Sequence, residues 1–150
     1  MSRSGYDEDF GDGLELGRWR AQVESATRGK RGQRFFFDLV TALDNMPEKK
    51  LISGELEEDG AVCALGALGK YRGVDLASLN IRDWEDGDWE KLGGAFNIAS
   101  QLAQETMYVN DDQESCFHTL TSAEQRWLRV REWALLQLKP ETLVPEELSP

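Results

Sequence analysis

The chain has 150 residues, 40% hydrophobic and 30% charged, which is the composition of a globular domain and excludes a disordered segment. The apolar runs fall far short of the ~20 residues of a membrane span, and the N-terminus lacks the apolar stretch of a signal peptide, so we expect a cytoplasmic protein with no membrane contact. The net charge of −11 disfavours nonspecific binding to nucleic acid or anionic lipid, because both need cations to neutralise phosphate.

The N-terminal third predicts an arm followed by two helices. Residues 1–13 combine glycine with like charges, which predicts a flexible acidic arm. From Leu14 onward, apolar residues recur on one helical stripe, and Gly29 is a natural stop for that helix. A second amphipathic helix is predicted after Gly32. Pro47 ends it, because the residue before a proline avoids helical backbone angles.

The middle of the chain predicts a small hairpin and a short helix. Asp59 and Gly60 lie between two short apolar runs, and this spacing is typical of a β-hairpin turn. A short helix is predicted for 64–70, with Gly73 as its end.

A third long helix is predicted after a loop. Turn-forming residues fill 78–87, and Asp88 is suited to cap a helix that runs to Asn110. Gly93 and Gly94 interrupt this helix, and we expect such small residues to admit a close neighbouring helix.

The last helix has the clearest start signal in the chain. Thr121 and Glu124 have the spacing of a capping box, and the helix is predicted to end near residue 138. Residues 139–150 are rich in proline and are predicted to be extended. The predicted fold class is therefore mainly α: one helical-bundle domain (14–138) of four main helices with a short helix and a small β-hairpin.

Positive charge is concentrated at the corner between the first two helices. Six cations stand against one carboxylate between Arg18 and Arg34, in a chain that is otherwise strongly acidic. One interpretation of this corner is an anion site, because exposed amides at a helix N-terminus favour anions. The alternative is a solvated connector whose cations pair with the protein's own carboxylates. The candidate residues for anion or partner binding are Arg28, Lys30, Arg31 and Arg34, with Asn110 and Asp111 expected nearby.

Four tryptophans are candidates for a protein interface. They are many for one small core, and an exposed tryptophan would mark a binding surface because this residue is enriched at interface hot spots. The candidates are Trp84, Trp89, Trp127 and Trp133. The oligomeric state cannot be read from the sequence.

The sequence predicts no catalytic residue, metal site or cofactor. Cys63, Cys116 and His118 do not have the paired spacing of a zinc site, and Cys63 lies in an apolar run typical of a buried small residue. Cys116 and His118 are two residues apart and would not meet on a helix, whereas no spacing supports a nucleophilic pair of Cys63 with His118. The acidic run at 83–90 does not match a calcium loop, and there is no phosphate-binding glycine motif.

A set of short segments spread over residues 18–138 forms a wider pattern. The segments are Arg18-Trp-Arg, Arg28-Gly-Lys-Arg-Gly-Gln, Ala42-Leu-Asp-Asn-Met-Pro, Val62-Cys-Ala-Leu-Gly-Ala-Leu-Gly, Asn110-Asp and Glu124-Gln-Arg-Trp. Together they resemble a group of small phage and prophage proteins of undefined function. The resemblance implies a phage context in a host cell, where small acidic domains often bind and inhibit a host protein, and it brings no catalytic residue.

Three functions follow as hypotheses. The first is a non-enzymatic phage or prophage accessory protein that binds a host or phage protein and inhibits a host defence component. The second is a small-ligand or nucleotide-binding domain with its anion site at Arg28–Arg34. The third is DNA or RNA binding through the same corner, against which the net charge argues.

Overall fold

The computed structural model describes residues 13–79, 86–111 and 121–140. Within these ranges the chain forms α1 (Gly13–Arg28), α2 (Lys30–Asp44), β1 (Glu57–Glu58), β2 (Ala61–Val62), α3 (Ala64–Arg72), α4 (Asp86–Ala95), α5 (Ser100–Asp111) and α6 (Ser122–Gln137). A single 3₁₀ turn covers Leu76–Leu79. The protein is thus mainly helical with one two-stranded antiparallel sheet, which confirms the predicted fold class.

The helices share one hydrophobic core. α2 packs against α1, α3 and α6, and α5 packs against α1, α4 and α6. On α2, Phe35, Phe36, Leu39 and Leu43 are fully buried, and their spacing places them on one side of the helix. Among the described residues, no helix is both long and apolar enough to cross a membrane.

The corner between α1 and α2 depends on a close backbone approach at Gly32. α2 begins at Lys30, earlier than predicted, because Gly29 has extended backbone angles and serves as the N-cap. Gly32 lies inside the first turn, where a Cβ would come within 1.9 Å of the Ala26 carbonyl oxygen. Gly32 therefore allows α1 and α2 to pack closely, and it is not the boundary after which the second helix begins.

The predicted hairpin and short helix are confirmed. Asp59 and Gly60 have φ values of 51° and 85°, as a two-residue type I′ turn requires. α3 ends two residues later than predicted, and Gly73 at φ 79° is its left-handed C-cap. The Val62 carbonyl also accepts the Ile52 amide at 2.9 Å, so the hairpin is joined to the segment before it.

The predicted third helix is two helices. Asn97, at φ 55°, is left-handed and lies between α4 and α5. Gly93 allows the chain to fold back, because a Cβ there would lie 2.7 Å from the Ile98 carbonyl oxygen. The close neighbour expected at this glycine is therefore the backbone of the turn, whereas a Cβ at Gly94 would meet nothing within 4 Å. The prediction of one continuous helix is therefore wrong. The break leaves no trace in the apolar pattern, because both helices turn their apolar side chains to the same core.

The start of α4 also differs from the prediction. The helix begins at Asp86, so Asp88 lies in its first turn and is not its N-cap. The first residues of the predicted loop at 78–87 belong to the 3₁₀ turn, and 80–85 lie outside the described residues.

α6 begins with the predicted capping box. The Thr121 hydroxyl accepts the Glu124 amide at 3.2 Å, and the Glu124 carboxylate accepts the Thr121 amide at 3.2 Å. Hydrogen bonds from Thr121 are also the main reason that the pKa of Glu124 is lowered. The helix ends at Gln137 with Leu138 as its cap, as predicted. The predicted arm (except Gly13) and tail residues 141–150 lie outside the described residues.

Candidate functional site

The basic corner borders a cavity of about 590 Å³ between α1, α2 and the start of α5. Lys30 and Arg31 line it, together with the backbone at Gly29 and Gly32. The first backbone hydrogen bond of α2 runs from the Gln33 amide to the Gly29 carbonyl at 2.9 Å, and no side chain caps the helix. The N-terminus of α2 therefore opens on the cavity without a side-chain cap.

Two of the four basic candidates pair with carboxylates on their own helices. Arg28 forms an ion pair with Glu24, and Arg34 lies 3.2 Å from the buried carboxylate of Asp38. Asp38 is held mainly by Arg72 of α3, whose Nη2 donates to it at 2.9 Å. Arg28 and Arg34 thus follow the alternative given for the basic corner, in which its cations pair with the protein's own carboxylates.

The other two candidates remain available to a ligand. Arg31 donates a long hydrogen bond of 3.4 Å to the Asn97 side chain, between α4 and α5. Lys30 is exposed and forms no ion pair with another described residue. Lys30 and Arg31 are therefore the cations that an anion in the cavity would meet.

The structure does not bring Asn110 and Asp111 to the basic corner. The cavity touches the beginning of α5 at Ile98 and Gln101, whereas Asn110 lies at the other end of that helix. A helix rises ~1.5 Å per residue, so the two ends are roughly 15 Å apart.

Asn110 instead belongs to a polar joint in the core, which we define as Asn110, Arg126 and Arg129. The fully buried Asn110 side chain accepts the Ala64 amide at 3.0 Å and donates to the Ile52 carbonyl at 2.9 Å. It thereby connects α5 with α3 and the segment before the hairpin.

Two arginines of α6 complete the polar joint at the C-terminus of α5. Arg126 Nε donates to the Asn110 carbonyl at 2.9 Å, and Arg129 Nε donates to the Val109 carbonyl at 3.1 Å. Burial lowers the pKa of both guanidinium groups, and cations at a helix C-terminus complement its dipole. Sequence reasoning missed these roles, because the acceptors lie 16 to 20 residues away along the chain.

The tryptophan candidates are mostly core residues. Trp89 and Trp127 are only 4% and 7% exposed, and the Trp127 indole donates to the Leu43 carbonyl at 3.2 Å. Trp133 is partly buried against Phe36, with ring centroids 5.1 Å apart. Trp84 lies outside the described residues. The exposed large hydrophobic side chains of the described ranges are Phe37, Tyr71, Leu128, Leu135 and Leu136.

An apolar groove of about 740 Å³ lies beside the hairpin, and we call it the hairpin groove. It is formed by the end of α2, the segment at 46–52, β2, α3 and the start of α6. Its floor consists of buried apolar residues, namely Ala42, Leu51, Val62 and Ala67. The walls include partly buried Met46 and Ile52 and the 47%-exposed Tyr71.

The polar groups at the hairpin groove are few. Glu48, Lys50 and Lys70 line it, and Lys70 is paired with Glu57 at 2.6 Å. Asn45, at the C-cap of α2, adds an amide. No sequence motif marks this groove, because its residues come from four separate stretches of the chain (42–52, 60–62, 67–71 and 123) and each is ordinary in its local context.

Cys63 has a structural role. It is fully buried, as predicted, and its sulfur accepts the Gly66 amide at 3.4 Å as the N-cap of α3. Cys116 and His118 lie outside the described ranges. Within those ranges, no three histidine, cysteine, aspartate or glutamate side chains come together in a group that could hold a metal.

No protein-family model, curated protein or solved structure matches this chain. The hairpin groove and the basic corner are the two surfaces that bear on the hypotheses of partner binding and anion binding.

Proposed function

We propose that this chain is a binding protein that holds a segment of a partner protein in the hairpin groove. The observation that carries the proposal is an open, mainly apolar groove of about 740 Å³ beside an exposed tyrosine. Such concave apolar surfaces with a few polar groups are typical of ligand and peptide sites. The phage context implied by the resemblance is part of the same proposal: the partner would be a host or phage protein, such as a host defence component.

The composition of the groove favours a segment with hydrophobic side chains. Ala42 and Ala67 on its floor have short side chains, which leave room for side chains of a partner. Tyr71 combines a large apolar ring with a hydroxyl, as in many interface hot spots. Lys50 at the rim can donate to a carbonyl or carboxylate of the partner backbone or side chains.

Tyr71→Asp is therefore expected to weaken binding of peptides selected on the wild-type protein from a displayed random library. The loss should be at least about tenfold, because a charged group replaces an aromatic anchor beside an apolar floor. Leu128→Asp is the matched control, since Leu128 is also 47% exposed but does not line the groove. Peptide affinities measured by isothermal titration decide the comparison.

Two results would count against the proposal. One is that the wild-type protein selects no peptide. The other is that Tyr71→Asp and Leu128→Asp bind the selected peptides equally well, which would place the binding surface elsewhere.

A second candidate function is the binding of phosphate or a nucleotide at the basic corner. It is favoured by the uncapped N-terminus of α2, which opens with Lys30 and Arg31 on a cavity of about 590 Å³. Helix N-termini favour anions because their amides and dipole attract negative charge.

For this candidate, inorganic phosphate and ATP are expected to raise the thermal stability of the wild-type protein. Saturation at a hundred times Kd corresponds to about 2.7 kcal/mol of stabilisation. The double variant Lys30→Gln/Arg31→Gln should lose the shift, whereas Arg28→Gln should keep it, because Arg28 is paired with Glu24. No shift in the wild type would reject the candidate, and a shift with oligonucleotides that falls steeply with salt would favour nucleic acid instead.

A further inference from the structure

A second groove lies between α1 and α6, over α5, and we call it the α1–α6 groove. Its volume is about 770 Å³. Its apolar lining comes from all three helices and consists of Val23, Tyr108, Trp133, Leu136 and Leu138. Leu136 is 76% exposed, the most exposed of the large hydrophobic side chains in the described ranges. Leu136 shares the groove with Val23, Tyr108 and Trp133, and an exposed apolar surface made of several side chains marks an interaction site.

The chain leaves α6 at the edge of this groove. Pro140 itself lines it. The preceding residue, Lys139, is held in place by two hydrogen bonds: its amide donates to the Gln33 side chain at 2.8 Å, and its Nζ donates to the Arg28 carbonyl at 2.7 Å. The described part of the chain therefore ends at Pro140, close to the C-terminal end of α1.

The composition of residues 141–150 complements the groove. This segment contains two prolines, three other apolar residues and three glutamates: Pro145, Pro150, Leu143, Val144, Leu148, Glu141, Glu146 and Glu147. Proline-rich segments adopt an extended helix at low entropic cost, and grooves lined by aromatic residues recognise them. Tyr108 and Trp133 provide such aromatic side chains.

We propose that residues 141–150 occupy the α1–α6 groove of the same chain, running antiparallel to α1. The distance is compatible, since Ser149 lies nine residues after Pro140, which corresponds to roughly 28 Å at ~3.1 Å per residue. The stretch of α1 from Arg28 back to Leu16 covers about 18 Å. In this position Leu143 and Val144 would cover Leu136.

The groove carries charges of both signs: Arg20, Arg28 and Lys139 line it together with Glu105 and with Glu24, which pairs with Arg28. Arg20 lines the groove and forms no ion pair within the described part of the chain. Glu146 lies roughly 19 Å from Pro140 at ~3.1 Å per residue and Arg20 about 12 Å along α1 from Arg28, a difference of ~7 Å that the two long side chains can span. Exposed ion pairs contribute little energy, so the contact with Arg20 would set the direction in which residues 141–150 run. Burial of the apolar lining under Leu143 and Val144 would provide most of the binding energy.

Paramagnetic relaxation in the full chain tests the proposal. A nitroxide is attached at Ser149→Cys in a Cys116→Ser background, where Cys63 is fully buried and stays unlabelled. We expect loss of amide signal intensity over 16–20 of α1. The loss should disappear with Leu143→Ser/Val144→Ser, which keeps the same tether and leaves the described core unchanged.

Matched substitutions in the body identify the groove. Leu136→Ser should abolish the signal loss, whereas Leu128→Ser, another exposed leucine of α6 outside the groove, should preserve it. The proposal is overturned if the signal loss is absent or if the serine substitutions at Leu143, Val144 and Leu136 leave it unchanged. It is also overturned if a label at Ser4→Cys affects the groove in place of the label at residue 149. A signal loss that occurs between labelled and unlabelled copies in a mixed sample would overturn it too, by assigning the groove to a second molecule.

Discussion

Replacing Asn110 by leucine is expected to lower the free energy of unfolding by roughly 2–5 kcal/mol, because the buried Ala64 amide and the partly buried Ile52 carbonyl lose their partners. The Ala64 amide donates to the Asn110 side chain at 3.0 Å, and the Ile52 carbonyl accepts from it at 2.9 Å. Leucine has the same branching at Cγ but larger terminal groups, so no cavity is left, and the cost comes from unmade hydrogen bonds with some overpacking added. Urea denaturation followed by far-UV circular dichroism measures the loss.

Thr106→Val is the matched control for this prediction. Thr106 is fully buried on the same helix, α5, but its hydroxyl donates only to the Leu102 carbonyl of that helix. Its removal should therefore cost no more than about 1 kcal/mol. If the two variants lose the same stability, the side chain of Asn110 does not hold α5 to α3 and to the segment before the hairpin.

Gly32→Ala is expected to destabilise the protein by about 3 kcal/mol, the upper end of the range for overpacking. An alanine Cβ would lie 1.9 Å from the Ala26 carbonyl oxygen and 2.8 Å from that of Thr27. Both atoms are backbone, so α1 and α2 would have to move apart. Thermal denaturation should show a lower Tm than for the wild type.

Gly94→Ala is the control for this glycine. A Cβ at Gly94 meets nothing within 4 Å, and the residue lies in α4 near its end. At this position alanine is expected to stabilise the protein by up to about 1 kcal/mol, because its helix propensity is higher than that of glycine. Opposite signs for the two substitutions support the close contact at Gly32, and a neutral Gly32→Ala would contradict it.

The proposed roles of the two grooves make separate claims. Tyr71 lines the hairpin groove and Leu136 lines the α1–α6 groove, and neither residue lines both. A failure of peptide binding at the hairpin groove therefore leaves the position of residues 141–150 open to its own test.

Local signals predicted several elements correctly. The hairpin turn at Asp59 and Gly60, the left-handed cap at Gly73 and the capping box of Thr121 and Glu124 depend only on neighbours within a few residues. Their geometry follows from backbone preferences and short-range hydrogen bonds, which a sequence states directly.

The break between α4 and α5 was not predicted, because amphipathic spacing cannot distinguish one helix from two that face the same core. Two features produce the break: Asn97 adopts left-handed backbone angles, and the Ile98 carbonyl lies where a side chain at Gly93 would be. A glycine inside an apolar pattern indicates close packing, but the sequence does not say which backbone comes close.

The basic corner was predicted as a cluster of charge, and the structure separates its members. The pairs Glu24–Arg28 and Arg34–Asp38 are four residues apart, a spacing that already favours ion pairs on a helix. The distance from the corner to Asn110 depends on the course of α5, and the burial of Trp127 depends on the packing of α6 against α2. Neither could be inferred from spacing along the chain.

The sequence by itself determined the helical class, the turn and cap positions and the concentration of cations between α1 and α2, since each of these depends on residues close together in the chain. Only the tertiary structure decided which side chains meet across the core, where the two grooves open and which cations have no carboxylate partner among the described residues. These properties depend on how separate helices pack, and packing is set by the fit of many side chains distant in sequence.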